Sequence, residues 1–89
     1  MKYCFDLDGT LCTNTWGKYE EAEPYQLAIN EVNKLYGQGH TIKIFTARGT
    51  TSGKDWTELT QNQLDRWDCR YTELIMNTKP SADIIIDDI

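Results

Sequence analysis

Apolar positions along the chain fall either into short runs or at helical spacing. Residues 2–7 (KYCFDL), 41–46 (TIKIFT), 71–76 (YTELIM) and 83–87 (DIIID) are short runs rich in β-branched and aromatic side chains, and they predict four strands. Between the first two, Tyr25, Ala28, Ile29, Val32 and Leu35 with Tyr36 recur at helical spacing. Pro24 fits the first turn of that helix, and Gly37 and Gly39 close it. Trp56, Leu59, Leu64 and Trp67 mark a second amphipathic helix, with Trp56 read as core. Segments 12–23 (CTNTWGKYEEAE) and 49–54 (GTTSGK) are polar and without period, so they read as loops.

The resulting order is strand, helix, strand, helix, strand, strand. It implies an α/β fold, a Rossmann-like three-layer sandwich with a mainly parallel central sheet and right-handed crossovers. A chain of 89 residues argues for a single domain, 1–89, with no room for a cap. Ligands of such sheets bind beyond the carboxyl ends of the strands. The first strand ends in Asp6 and Asp8, and the second in Thr46, followed by Ala47 and Arg48. Asn77, Thr78 and Lys79 follow the third, and the last ends in Asp87 and Asp88. Four carboxylates, a lysine and a threonine therefore share one rim.

That much negative charge in one cleft is costly without a counter-ion. Oxygen-only ligands select a hard cation, and Mg²⁺ held by a few carboxylates, waters and a phosphate is the natural case. A phosphate would also use the lysine and the threonine hydroxyl, which points to phosphoryl transfer. Residues i and i+2 of a strand face the same way, so Asp6 and Asp8 both reach the cleft. One carboxylate can attack phosphorus. The other can protonate the leaving alkoxide and then take a proton from water. Gly9 permits a tight turn that brings amide N–H groups near the phosphoryl oxygens.

Charge and cysteine usage narrow the partners. A net charge of −5 disfavours a nucleic-acid backbone or an anionic membrane, but not an anionic substrate whose site holds a metal. Cys4, Cys12 and Cys69 form neither a disulfide framework nor a zinc pattern, and read as reduced thiols of a cytoplasmic protein. Cys4 reads as core, and Cys12, near the paired aspartates, as an incidental reactive thiol. The N-terminus has no apolar signal core, and no apolar run approaches the ~20 residues that cross a bilayer. Arg48 either contacts the leaving group or pairs with Asp55 or Glu58. Trp16 and Lys18, in the first loop, are substrate-contact candidates. His40 reads as exposed and takes no catalytic role. Taken singly, the paired aspartates are also ordinary turn formers, and Lys79 an ordinary surface lysine.

Four segments in order carry a family resemblance: Asp6-Leu7-Asp8-Gly9-Thr10, the strand Ile42 to Thr46, Lys79-Pro80, and Ile84-Ile85-Ile86-Asp87-Asp88. They resemble the four motifs of phosphatases of the haloacid dehalogenase superfamily, over essentially the whole chain. The resemblance implies Asp6 as the nucleophile that forms an aspartyl-phosphate and Asp8 as the acid/base. It implies Thr46 and Lys79 as phosphate ligands, with Gly9 and Ala47 among the phosphate contacts. Mg²⁺ would be held by Asp6, the backbone carbonyl of Asp8, and Asp87, with Asp88 as an outer or additional ligand. Segments 11–24 and 49–55 are too short for the cap domain of larger members, so the chain resembles the capless class. Within that class F-T-A-R-G and A-D-I-I-I-D-D resemble small phosphatases of bacterial surface-polysaccharide biosynthesis, implying a small phosphorylated metabolite such as a sugar phosphate. Family members continue beyond the fourth motif, whereas this sequence stops at Ile89. That suggests a truncated chain, or a second copy covering the last strand's edge.

Two other functional classes fit the same residues. A receiver-like phospho-acceptor also gathers aspartates, a threonine and a lysine around Mg²⁺, although its acidic pair and its phosphorylated aspartate sit on different strands. An inactive interaction subunit is the third reading. Within the enzyme reading, a nucleotide or the end phosphate of a protein or nucleic acid is the alternative substrate.

Overall fold

The computed structural model describes residues 1–49 and 53–76, and the backbone of 84–86. Four strands appear among them: β1 (Lys2–Asp6), β2 (Thr41–Thr46), β3 (Glu73–Met76) and β4 (Ile84–Ile86). Two helices, α1 (Gln26–Gly37) and α2 (Thr57–Arg66), make the crossovers, and a 3₁₀ turn spans Tyr19–Glu21. The sheet order is β3-β2-β1-β4, and every pairing is parallel. This is the Rossmann-like α/β arrangement that the alternating pattern predicts.

Paired residues of parallel strands point to the same face. Tyr3 pairs with Ile42, Phe5 with Ile44, and Ile44 with Leu74, so these side chains form one surface. The connections β1 to β2 and β2 to β3 step the same way across the sheet, and right-handed crossovers put both helices on that surface. The core agrees: Ile29 and Val32 of α1 and Leu64 of α2 join Phe5, Ile42 and Ile44 in one buried cluster. The described residues thus supply two layers, a sheet and one helical face, and a third layer is not among them.

Chain chemistry sets the element ends. Gly39 adopts φ 91°, and the N–H groups of Gly39 and His40 donate to the Tyr36 and Leu35 carbonyls. This is the left-handed stop that favours glycine after a helix. Pro24 does not open α1 as the sequence suggests. It bridges to Cys12 instead, and the helix begins at Gln26. The bridge belongs to a set of stitches that closes the loop 12–23 at its base: Tyr25 N–H donates to the Leu11 carbonyl at 2.8 Å and Thr13 N–H to the Glu23 carbonyl at 2.8 Å. The segment read as a polar loop is thus a flap closed at its base, with the 3₁₀ turn inside it. His40 is half-buried, edge-on to the Tyr3 ring and 3.2 Å from the amino terminus.

All three cysteines are buried and reduced. Burial pushes the Cys12 and Cys69 thiols up to about 12 from an ordinary 9.0, Cys12 with help from the nearby Asp8 carboxylate. Cys12 is thus not the reactive thiol its position suggested, because the thiolate is the nucleophile and this site disfavours it. Native protein at neutral pH is expected to leave Cys12 and Cys69 unmodified by iodoacetamide, read by intact mass. Rapid labelling at Cys12 would contradict the packing. The pH dependence has a definite sign. Unfolded thiols release protons from about pH 9 while the folded ones keep theirs to about 12, so these two groups lower stability as pH rises through that window and not below it.

Candidate active site

The carboxyl edge of β1 and β2 carries a cleft of about 240 Å³ whose walls include Asp6, Asp8, Asn14, Ala47 and Arg48. Asp6 ends β1, and the chain then turns through Leu7, whose N–H donates both to the Phe45 carbonyl at 3.2 Å and to Asp6 Oδ1 at 2.8 Å. This keeps β1 against β2 one residue beyond the strand and fixes the Asp6 carboxylate at its mouth. Gly9, at φ 88°, reverses the chain. Its N–H donates to the Cys12 carbonyl at 2.8 Å, and those of Thr10 and Leu11 donate to the Leu7 carbonyl. The N–H of Gly9 itself is therefore engaged within the loop, and Gly9 contributes the bend.

Arg48 organises the site. Its side chain is fully buried, against 17% exposure for the Asp8 side chain. Nη2 donates to Asp8 Oδ1 at 2.9 Å and Nε to Oδ2 at 3.0 Å, a two-pronged contact. Nη1 donates to Thr60 Oγ1 at 3.0 Å and to Gln63 Oε1 at 2.6 Å, and the Tyr19 ring lies 4.7 Å from the guanidinium carbon. A buried cation is tolerated only when paired and fully hydrogen-bonded, and this one is. Both sequence readings of Arg48 are corrected, since it pairs with neither Asp55 nor Glu58 and is too buried to grip a leaving group. The Thr57 side chain and, after it, the Thr57 N–H hydrogen-bond Asp55 at the start of α2 and hold its carboxyl below the usual range.

Thr46 is buried beneath the cleft. Its hydroxyl accepts the Arg48 N–H at 3.1 Å and lies 3.5 Å from Asp8 Oδ2. Ala47 is exposed on the cleft wall. Trp16 also lines the cleft, 86% exposed and at φ 50°, whereas Lys18 is exposed but lines neither this cleft nor its neighbour. The cation on the neighbouring wall is Lys54. Trp56, read as core, stands there too: it is half-buried, edge-on to Tyr19 at 4.9 Å, with Lys54 Nζ 4.3 Å from its ring centroid. Lys79, Asp87 and Asp88 lie outside the described residues. Among the described residues no three His, Cys, Asp or Glu side chains converge, so Asp6 and Asp8 stand as a pair.

Three residues of the site escaped sequence reasoning. Asn14 lines the cleft, and Thr60 and Gln63 are buried acceptors for Arg48. The available signal was spacing, because Thr60 and Gln63 share the helical stripe of Leu64 and Trp67, where polar residues stand out.

Fold and rim together define a parallel α/β domain with a paired-carboxylate cleft at the carboxyl edge of its sheet. No family model and no curated protein matches the chain. Among solved structures, a crystal structure of a target protein from Vibrio cholerae is 26% identical, with a TM-score of 0.74 over 90% of this chain and 72% of that one. A chain of a Pnkp1/Rnl/Hen1 complex is 21% identical with a TM-score of 0.70 over 90% of this chain, which spans only 29% of that larger chain. These similarities establish the shared α/β fold.

Proposed function

We propose that the protein is a Mg²⁺-dependent phosphomonoester hydrolase that works through an aspartyl-phosphate at Asp6 on a small phosphorylated metabolite. The observation that carries this reading is the unequal setting of two carboxylates in one cleft. Arg48 grips Asp8 through both oxygens, and the Asp6 carboxylate takes the Leu7 N–H at the strand end. Two acids with different partners suit two roles. Asp6 attacks phosphorus, forming the Asp6 O–P bond as the ester P–O bond breaks. Asp8, once Arg48 releases one of its oxygens and that oxygen takes up a proton, gives this proton to the departing alkoxide. It then takes a proton from the water that attacks the same phosphorus, which breaks the Asp6 O–P bond and releases phosphate.

The donor set fits the ion that the motif resemblance implies. It is oxygen-only, and the Asp6 carboxylate is half-exposed at the cleft. Asp6 and the Asp8 backbone carbonyl would hold Mg²⁺ together with Asp87, and with Asp88 as an outer ligand. Bound there, the ion supplies positive charge to the phosphoryl oxygens. Lys79 and Thr46 would add phosphate contacts, the latter once its O–H turns from Asp8 Oδ2, while its oxygen still accepts the Arg48 N–H.

The test is hydrolysis of an aryl and an alkyl phosphate with Mg²⁺ and with excess chelator. Chelation is expected to remove both activities. Asp8→Asn is expected to slow release of the alkyl alcohol by about 100-fold or more. The first release of the aryl alcohol, which needs little protonation, should be slowed much less. Equal slowing of both first steps would remove Asp8 from the acid role, and full activity in chelator would remove the metal.

A further inference from the structure

The Asp6–Asp8 cleft is the inner end of a longer groove. Trp16, Gly17, Tyr19 and Ala47 line it and also line an adjoining cleft of about 460 Å³, whose far wall is Gly49, Lys54 and Trp56. Gly17, Lys54 and Trp56 in turn line an outer cleft of about 780 Å³, where Glu20, Asp55 and Glu58 stand. Chemistry changes along the groove in three steps: reacting carboxylates, then an aromatic slot, then a carboxylate-rich rim.

The slot is held open by its frame. Tyr19 rests on the buried Arg48 guanidinium and Trp56 stands edge-on to Tyr19, so the inner wall is fixed to the group that grips Asp8. Gln63 Nε2 donates to the Tyr19 carbonyl at 2.6 Å, tying the flap to α2. At Gly49, φ 86°, an added Cβ would collide with the Lys54 carbonyl, so the backbone behind Lys54 packs as closely as glycine permits. Trp16 and Gly17 are both left-handed, at φ 50° and 98°, and this bend places Trp16 on the flap side of both clefts.

We propose that this groove is a leaving-group site for a hydroxylated ring without a second phosphate. The inference rests on the phosphatase reading for its inner end. Tyr19 has the Arg48 guanidinium on its ring and Trp56 has the Lys54 ammonium, so Trp16 is the aromatic surface open to the flat apolar face of a ring, with large contact area at low entropic cost. Carboxylates at the rim accept hydrogen bonds from ring hydroxyls. The same carboxylates repel a further anion: among the described residues, Glu20, Asp55 and Glu58 set three negative charges against the one positive charge of Lys54. The site therefore selects a monophosphate over a bisphosphate, and a ring over an open chain.

The experiment compares a hexose monophosphate, a nucleoside monophosphate, a hexose bisphosphate and glycerol phosphate, with Mg²⁺ present. A ring monophosphate is expected to have a KM about tenfold below that of glycerol phosphate, and the hexose and nucleoside arms tell which ring the slot takes. Trp16→Ala should raise that KM about tenfold with kcat changed less than twofold. Glu20→Gln with Glu58→Gln should lower KM for the bisphosphate and not for the monophosphate. Binding to Asp6→Asn protein, followed by tryptophan fluorescence, gives the same ranking without turnover. If the wild type hydrolyses none of the four, the phosphatase reading fails, and the Asp6→Asn ranking still decides the groove. Equal affinity for glycerol phosphate and the rings, or no effect of Trp16→Ala, overturns the groove while leaving the phosphatase reading intact.

Discussion

Asp6→Asn is expected to abolish phosphate release from an aryl phosphate, with kcat down by at least about a thousandfold, while the protein stays folded. The fold should survive because asparagine keeps the Oδ1 acceptor that the Leu7 N–H uses at 2.8 Å, and the ladder from Leu7 to the Phe45 carbonyl is backbone. Activity should not survive, because an uncharged amide oxygen cannot form the acyl-phosphate bond. Circular dichroism and a melting curve beside the assay separate the two effects. A folded Asp6→Asn protein with wild-type turnover would show that Asp6 is not the nucleophile.

Arg48→Met is expected to lower both stability and activity. Removing the guanidinium strands the Asp8 carboxylate and leaves the buried Thr60 and Gln63 without their donor. Truncating one partner of a buried pair costs about 3–5 kcal/mol. A domain of this size holds only about 5–13 kcal/mol in total. At about 3 kcal/mol the melting temperature should fall by roughly 12–24 °C. Arg48→Lys separates charge from geometry. Lysine keeps the charge but not the fork that meets both Asp8 oxygens while reaching Thr60 and Gln63. Its stability should be partly restored and its activity not. Paired with Asp8→Asn, Arg48→Met should cost less than the sum of the two changes, because each removes the other's reason for being paired. Full additivity would mean that the contact contributes little.

Much of the fold could be read along the chain because its signals are local. The β-branched and aromatic run at residues 41–46 marks a strand that is buried on both faces toward its end, the 3.6-residue period after Pro24 reflects side chains meeting one surface, and β2 and α1 form there. What could not be read was set by distant contacts. The flap takes its shape from pairings of Leu11 with Tyr25 and Thr13 with Glu23, which leave no period. Arg48 had nearby acids in Asp55 and Glu58, yet its partner lies 40 positions earlier. Thr60 and Gln63 drew no reading from the sequence, and they are buried as the acceptors that a buried guanidinium needs. The shared cleft of Asp6 and Asp8 follows from two-residue spacing at a strand end. The inward turn of the Gly9 amide depends on how the loop closes, which spacing does not encode.

The most direct test of the central claim is mass spectrometry of the Asp8→Asn protein, acid-quenched during reaction with an aryl phosphate and Mg²⁺. With the acid/base removed and a leaving group that needs little protonation, the first step should run and the second stall. The peptide containing Asp6 should then carry the mass of one phosphoryl group, and Asp6→Asn should abolish the label. Phosphate released by the wild type with no label at Asp6 in the stalled variant, or a label on another residue, would contradict the account.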